Sequence, residues 1–158
     1  MITFRCTAKA LKRFKLTPEE DLPDPTGVLG NWYVNLLNAG RQRLVMCVSD
    51  VSLLPVILPA RNDEFPGRFP EYLFRTLCAV GIPDRAAARE AKQVKEYRIG
   101  RTASRSVLGV MNDFAFMAKV YLDYDDVFET TLKVAGSPSM PIDDFPDRKT
   151  RELLTGSV

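Results

Sequence analysis

Histidine is absent from the 158 residues of this chain. It is the commonest general base near neutral pH and a frequent zinc ligand, so its absence removes the usual catalytic triads and most zinc sites. Long apolar runs are missing too, since none approaches the roughly 18 residues that a membrane-spanning helix needs. The sequence therefore predicts neither an integral membrane protein nor a histidine-dependent enzyme.

Cysteine is scarce and forms no recognisable motif. Cys6, Cys47 and Cys78 are odd in number and include no CxxC pair, which argues against a redox or zinc motif. Each lies in an apolar context, so we interpret them as reduced, buried side chains. The N-terminal segment lacks the apolar stretch of a secretory signal. Free thiols without a signal indicate a cytoplasmic protein.

The acidic clusters of the sequence do not form a metal-binding pattern. Asp123, Asp125 and Asp126 lie close together, but the glycine and the closing glutamate of an EF-hand calcium loop are missing. We interpret this cluster as a solvated turn. The sequence predicts no metal site and no cofactor.

The composition is that of one folded domain. With 46% hydrophobic and 27% charged residues, the chain is too apolar for a disordered protein. Its length is enough for one core, so we predict a single domain over residues 1–158. Three prolines and two glycines predict a surface loop over residues 17–30, and residues 136–147 are predicted to be irregular.

Charge is nearly balanced overall, with a formal net charge of +2, but it is segregated along the chain. Residues 1–16 carry five basic and no acidic side chains, and residues 85–106 carry seven basic and two acidic ones. Residues 17–30 and 120–129 each carry four acidic and no basic side chains. Such blocks either form weak surface ion pairs or leave a basic face that attracts anions.

Apolar runs separated by short polar turns predict strands. Three of them, over residues 31–60, predict an antiparallel meander. Because proline cannot donate to a strand ladder, the last strand is predicted either to lie at a sheet edge or to start after Pro55. Further strands are predicted at MITFRCT, in VKEYRIGR and in FETTLKVA.

Helical spacing of apolar residues predicts the other elements. A short basic helix follows the first strand, two helices fill the middle of the chain, and a short helix lies near the end. Residues 105–121 are apolar around almost the whole circumference, which predicts the most buried helix. The fold class predicted is α+β, with an antiparallel sheet of four to five strands packing one face against two to three helices.

The segment RTASRSVLGVMNDFAFM, residues 101–117, is the most distinctive part of the chain. With GNWYVNLL and LLPVILPAR, it resembles a bacterial family of small proteins classed as a domain of unknown function. The resemblance extends from the FRCT start to RELL near the end. The family signature, T-x-x-R-S-V-L-G-x-M-N-D-F, is matched by Thr102, Arg105, Ser106, Val107, Leu108, Gly109, Met111, Asn112, Asp113 and Phe114. The resemblance implies a prokaryotic cytoplasmic protein, sometimes encoded near mobile elements, but no established activity.

The start of helix 105–121 is the candidate ligand site. A helix N-terminus leaves backbone amides unpaired and carries about half a positive charge. Arg101, Thr102, Arg105 and Ser106 surround this start, so their guanidinium and hydroxyl groups are suited to a phosphate or carboxylate. The alternative interpretation is that a serine only caps the helix and the arginines form ion pairs.

Two polar residues, Asn112 and Asp113, interrupt the apolar helix and complete the predicted site. A buried Asp113 would need a partner, and Arg105 lies about two turns away along the helix. Gly109 lies between them and is costly inside a helix, which suggests close approach of a ligand or of another backbone. Asp113 is therefore predicted either to pair structurally or to act on a ligand.

Three functions remain open at this stage. The first is a binding module for an anionic ligand, such as nucleic acid or a nucleotide, or for a protein partner. The second is a histidine-free enzyme of phosphoryl or phosphodiester chemistry, with Asp113 as base and Arg101 and Arg105 as anion clamp. The third is an antitoxin-like or inhibitory protein partner, which an exposed apolar patch would favour.

Overall fold

A computed structural model of the chain describes residues 1–61 and 64–156. These residues form one five-stranded sheet and six α-helices. The strands are β1 Ile2–Cys6, β2 Trp32–Ala39, β3 Gln42–Ser49, β4 Pro55–Pro59 and β5 Tyr97–Arg101. The helices are α1 Ala8–Phe14, α2 Phe65–Ala79, α3 Asp84–Gln93, α4 Arg105–Tyr121, α5 Val127–Ala135 and α6 Pro146–Thr155. The α+β class is confirmed.

The sheet has the order β4-β3-β2-β1-β5. β2, β3 and β4 form the predicted antiparallel meander, and β4 begins at Pro55 on the edge of the sheet. The sheet differs from the prediction at β1, which pairs in parallel with both β2 and β5. Parallel neighbours need long crossover connections, and the helices between these strands provide them.

Helices cover both faces of the sheet, whereas the sequence predicted helices on one face. The first face packs against α1 and α2 through an aromatic cluster. The Phe4 ring centroid lies 5.3 Å from those of Phe65 and Phe69, and Trp32 lies 5.0 Å from Phe69. The second face packs against α4 and α5. Successive residues of a strand point to opposite faces of the sheet, and those of β3 are apolar from Leu44 to Val48. Both faces are therefore apolar and are buried under helices.

Two predictions need correction: the strand predicted at FETTLKVA and the near-complete burial predicted for helix 105–121. The segment FETTLKVA is part of α5 and not a strand, because Asp126 accepts a hydrogen bond from the Glu129 amide and starts a helix. α4 has the predicted bounds, but it is not enclosed. The sheet covers only its inner side, so Phe116 is 73% exposed and Val120 is 49% exposed.

The predicted loop over 17–30 has no regular secondary structure. The predicted irregular stretch 136–147 contains a short 3₁₀ helix, Met140–Ile142, and one β-bridge between Ser139 and Asp144. Within residues 1–61 and 64–156, no helix has the length and apolarity that a bilayer crossing requires.

Candidate functional site

The neighbouring parallel strands β1 and β5 lead into helices on opposite faces of the sheet. Cys6, the last residue of β1, lies opposite Arg101, the last residue of β5. α1 then packs on the first face and α4 on the second. In open α/β sheets, ligands bind outside the carboxyl ends of strands at such a divergence. The start of α4 therefore lies in a position that this architecture makes suitable for a ligand.

Ser104 caps α4 as the sequence suggested. Its Oγ accepts a hydrogen bond from the Val107 amide at 3.2 Å. Between the neighbouring strand β1 and its helix, Thr7 caps α1: its hydroxyl oxygen accepts a hydrogen bond from the Ala10 amide at 3.3 Å. The Thr7 hydroxyl also donates to Oδ1 of Asn35 at 2.7 Å, which ties the end of β1 to β2.

Tyr33 holds the entry to α4, a role that the sequence did not reveal. Its ring is buried. Its hydroxyl oxygen accepts hydrogen bonds from the amides of Ala103, at 3.3 Å, and Ser104, at 2.9 Å. In the part of the chain that the structure describes, the amides of Arg105 and Ser106 have no hydrogen-bond partner. These two amides form the available positive end of the helix.

Arg5 is a second contributor that sequence reasoning missed. Its Nη1 donates to the backbone carbonyl of Arg101 at 3.0 Å and so fixes the end of β5. Arg5 lies on the second face of the sheet, beside the start of α4. Its charge acts to lower the pKa of Asp50, but burial has the larger effect and raises that pKa above its usual value. The structure thus adds a third guanidinium close to the predicted arginines.

Four of the predicted site residues come together at the start of α4. Arg101, Arg105 and Ser106 are exposed, and Thr102 is half-buried. Neither arginine forms an ion pair with any described residue. Arg98 does form one, with Glu19 at 3.0 Å, and is therefore engaged elsewhere. Of the three arginines at positions 98, 101 and 105, only Arg98 forms an ion pair among the described residues.

Asn112 and Asp113 lie apart from this cluster. Both are exposed, so the expectation of a buried Asp113 carboxylate is wrong. The reason is that α4 turns this side to solvent. Eight residues separate Asp113 from Arg105, about 12 Å along the helix axis. Asp113 instead lines a small cavity of about 180 Å³ together with Met117 and Met140.

The three cysteines do not contribute to the site. Cys6 and Cys47 are buried, as predicted, and Cys78 is half-buried. Burial raises the pKa of Cys6 to about 12 and also raises the pKa of Cys47. Both therefore remain protonated near neutral pH, so neither is a ready nucleophile. No cluster of three or more acidic or cysteine side chains suited to a metal ion occurs among the described residues.

A family model described as a domain of unknown function, DUF6933, matches residues 3–141. The chain belongs to this family. The DUF6933 match spans residues 102–114 and all five strands except Ile2 at the start of β1, and it ends before α6. The expected domain of unknown function is therefore shown over residues 3–141. A search of the curated proteins finds no match. The DUF6933 description names no activity.

Proposed function

We propose that this protein is a binding module for an anionic ligand at the start of α4, with a nucleotide or nucleic-acid phosphate as the ligand group. One observation carries this proposal: Arg101 and Arg105 lie exposed beside the amides of Arg105 and Ser106, and none of these groups has a partner among the described residues. Amides at a helix N-terminus and guanidinium groups both favour phosphate oxygens.

The local geometry supports one position for the anion. Tyr33 already occupies the amides of Ala103 and Ser104, so the ligand contacts the next two amides of the helix. The nearby hydroxyls of Thr102 and Ser106 can donate further hydrogen bonds. Arg101 and Arg105 can each contact a phosphate with two N–H groups.

The geometry favours binding over catalysis. Asp113, the residue expected to act as a base, lies about 12 Å along the helix from Arg105. A carboxylate at that distance cannot accept a proton from a group held by the arginines, since a general base must reach hydrogen-bond distance. Binding therefore accounts for the arginines without a reaction.

Calorimetric titration tests the proposal with inorganic phosphate, a mononucleotide, and short single-stranded DNA and RNA. We expect binding by the wild type that weakens as salt rises, because exposed charges are screened. The double variant Arg101→Ala/Arg105→Ala should bind at least about tenfold more weakly, as expected for lost charge-assisted hydrogen bonds.

The matched control is Arg85→Ala/Arg89→Ala, which removes two exposed arginines of α3 and leaves the site intact. This control should bind like the wild type. If both double variants lose affinity equally, binding depends on net charge and the assignment to α4 is wrong. If the wild type binds none of the probes, the proposed function is wrong.

A further inference from the structure

A cavity of about 320 Å³ lies at the β4 edge of the sheet, the edge opposite β5. We call it the β4-edge cavity. Side chains of β4, of α2 and of the start of α5 line it: Ile57, Pro59, Tyr72, Arg75, Asp126 and Phe128. Its volume is within the usual range of small-molecule sites. An apolar lining with one basic and one acidic side chain is the pattern of a pocket that orients a small ligand.

Two aromatic rings position Arg75 in the β4-edge cavity. The guanidinium carbon of Arg75 lies over the ring of Tyr72, 5.6 Å from its centroid, and over the ring of Phe128, 5.4 Å from its centroid. Tyr72 is itself tied to Arg68, whose Nη2 donates a hydrogen bond to the Tyr72 hydroxyl at 3.0 Å. Arg75 forms neither a hydrogen bond nor an ion pair with a described residue. Its guanidinium is therefore held in place while its N–H groups remain available as donors.

Asp126 provides the opposite charge. Its Oδ1 accepts a hydrogen bond from the Glu129 amide at 2.7 Å, which caps α5 and fixes the side chain, whereas Oδ2 has no hydrogen-bond partner among the described residues. Asp126 and Arg75 line the same cavity, yet they do not form an ion pair with each other. Both are exposed, so a ligand from solvent can reach them. Two opposite charges that do not neutralise each other are thus available in one cavity.

The charged residues just outside the lining leave this balance unchanged. Arg68 on α2 and Glu129 on α5 add one basic and one acidic side chain beside the cavity. Lys133 and Asp125 pair with each other at 2.6 Å. The surroundings are therefore neither basic nor acidic, and a ligand with a single charge would use only one of the two charged groups in the cavity.

We propose that the β4-edge cavity binds a small zwitterion with an apolar side chain, of the class of free α-amino acids such as leucine and phenylalanine. The ligand carboxylate accepts two hydrogen bonds from the Arg75 guanidinium, and the ligand ammonium donates to Oδ2 of Asp126. The apolar side chain of the ligand lies against Ile57 and Pro59 of β4, which removes apolar surface from water. This site lies apart from the proposed anion site and is argued from different residues.

Other classes of ligand fit the β4-edge cavity less well. A phosphate or a simple carboxylic acid would meet Arg75 but would also face the like charge of Asp126. An organic amine would pair with Asp126 and face the like charge of Arg75. A metal ion needs several oxygen ligands, and Asp126 is the one acidic residue of the lining. A zwitterion pairs with both charges at once.

Titrations followed by heteronuclear NMR test the proposal, because they detect weak binding and locate it. The probes are leucine, phenylalanine and three analogues: phenylpropanoate lacks the ammonium, phenethylamine lacks the carboxylate, and glycine lacks the side chain. We expect phenylalanine to shift the amide signals of Val127 and Phe128. It should bind at least about tenfold more tightly than each analogue, because a site built for a group discriminates against a ligand without it.

Two variants remove one charge each. Arg75→Gln and Asp126→Asn should each weaken phenylalanine binding at least about tenfold. Asp126→Asn keeps the helix cap, since asparagine caps as well as aspartate. It should also lose the preference for phenylalanine over phenylpropanoate, a change of selectivity that misfolding cannot imitate. The matched controls are Arg85→Gln and Asp123→Asn, which remove exposed charges outside the cavity and should bind like the wild type.

Several results would overturn the proposal. A wild type that binds neither leucine nor phenylalanine would do so, as would shifted signals confined to elements other than α2, β4 and α5. Equal affinity for phenylalanine and either singly charged analogue would show that the two charges do not hold the ligand together. Arg75→Gln and Asp126→Asn variants that bind like their controls would contradict the assignment of the residues. Phosphate binding at α4 can fail without changing any of these results, so the two proposals are tested separately.

Discussion

Phe114 and Phe116 are two residues apart on α4 and lie in opposite environments. Phe114 is 2% exposed and belongs to the core of the second face, with Met46 and Ile57. Phe116 is on the solvent side. The helical angle of an apolar residue in α4 therefore determines whether the residue packs in the core or faces solvent, and substitution separates the two cases.

Truncation of Phe114 tests the packing of α4 on the sheet. Phe114→Ala should lower the free energy of unfolding by about 3–5 kcal/mol, because a buried aromatic ring leaves a cavity that the sheet cannot fill. Urea unfolding measures this change. Phe116→Ala is the control and should stay within about 0.5 kcal/mol of the wild type. Similar losses for both variants would contradict the orientation of α4.

At the scale of elements, sequence periodicity predicted the meander and the bounds of α4 because these depend on neighbouring residues. The parallel pairings of β1 could not be predicted, since they depend on the direction in which α1 and α2 lead the chain. FETTLKVA was predicted to be a strand because it contains β-branched residues, yet the cap at Asp126 and the apolar second face of the sheet make it a helix.

The candidate site also combines features that depend on neighbouring residues, which the sequence predicted, with features that depend on distant ones, which it did not. Arg101, Thr102, Arg105 and Ser106 are local to one helix start, so a sequence pattern was enough to bring them together. Tyr33 joins this site from 70 residues away and could be found only from its contact with Ala103. The burial of Asp113 was predicted incorrectly, because the sequence shows an apolar helix but not which of its sides the sheet covers.

Glu90 links α3 to the loop over residues 17–30. Its carboxylate accepts hydrogen bonds from the amides of Val28, at 2.8 Å, and Leu29, at 3.0 Å. Burial raises the pKa of Glu90 above its ordinary value, although the two hydrogen bonds act in the opposite direction. The folded protein therefore holds this proton more tightly than the unfolded chain does.

The pH dependence of stability tests this contact. Because the pKa is raised in the folded state, the contribution of Glu90 to stability is greatest below the ordinary carboxyl pKa and decreases as pH rises through the raised value. Relative to Glu90→Gln, which cannot titrate, the wild type should lose stability across that window. Urea unfolding at several pH values measures the difference, with Glu71→Gln, an exposed site on α2, as control. Parallel pH profiles for wild type and Glu90→Gln would contradict the pKa shift.

At the scale of the whole molecule, α4 separates the two proposed sites. Its first turn, beside the diverging ends of β1 and β5, carries the anion site, and the residues after its last turn lead to Asp126 in the β4-edge cavity. The 17 residues of α4 span about 25 Å. Direct interaction between charges is largely screened over this distance, because the Debye length is about 8 Å at physiological ionic strength. The two sites should therefore bind their ligands independently.

This independence gives a prediction that neither site makes alone. Saturating phenylalanine should change the phosphate dissociation constant by less than about twofold, since sites more than about 10 Å apart that share no partners act additively. Calorimetric titration with phosphate, with and without phenylalanine at constant ionic strength, measures the effect. Arg101→Ala/Arg105→Ala is the control and should keep the phenylalanine affinity of the wild type. Coupling between two binding sites must appear equally in both directions. A change of about fivefold or more in phosphate affinity, matched by the same change in phenylalanine affinity, would therefore show that α4 has two positions and couples the sites.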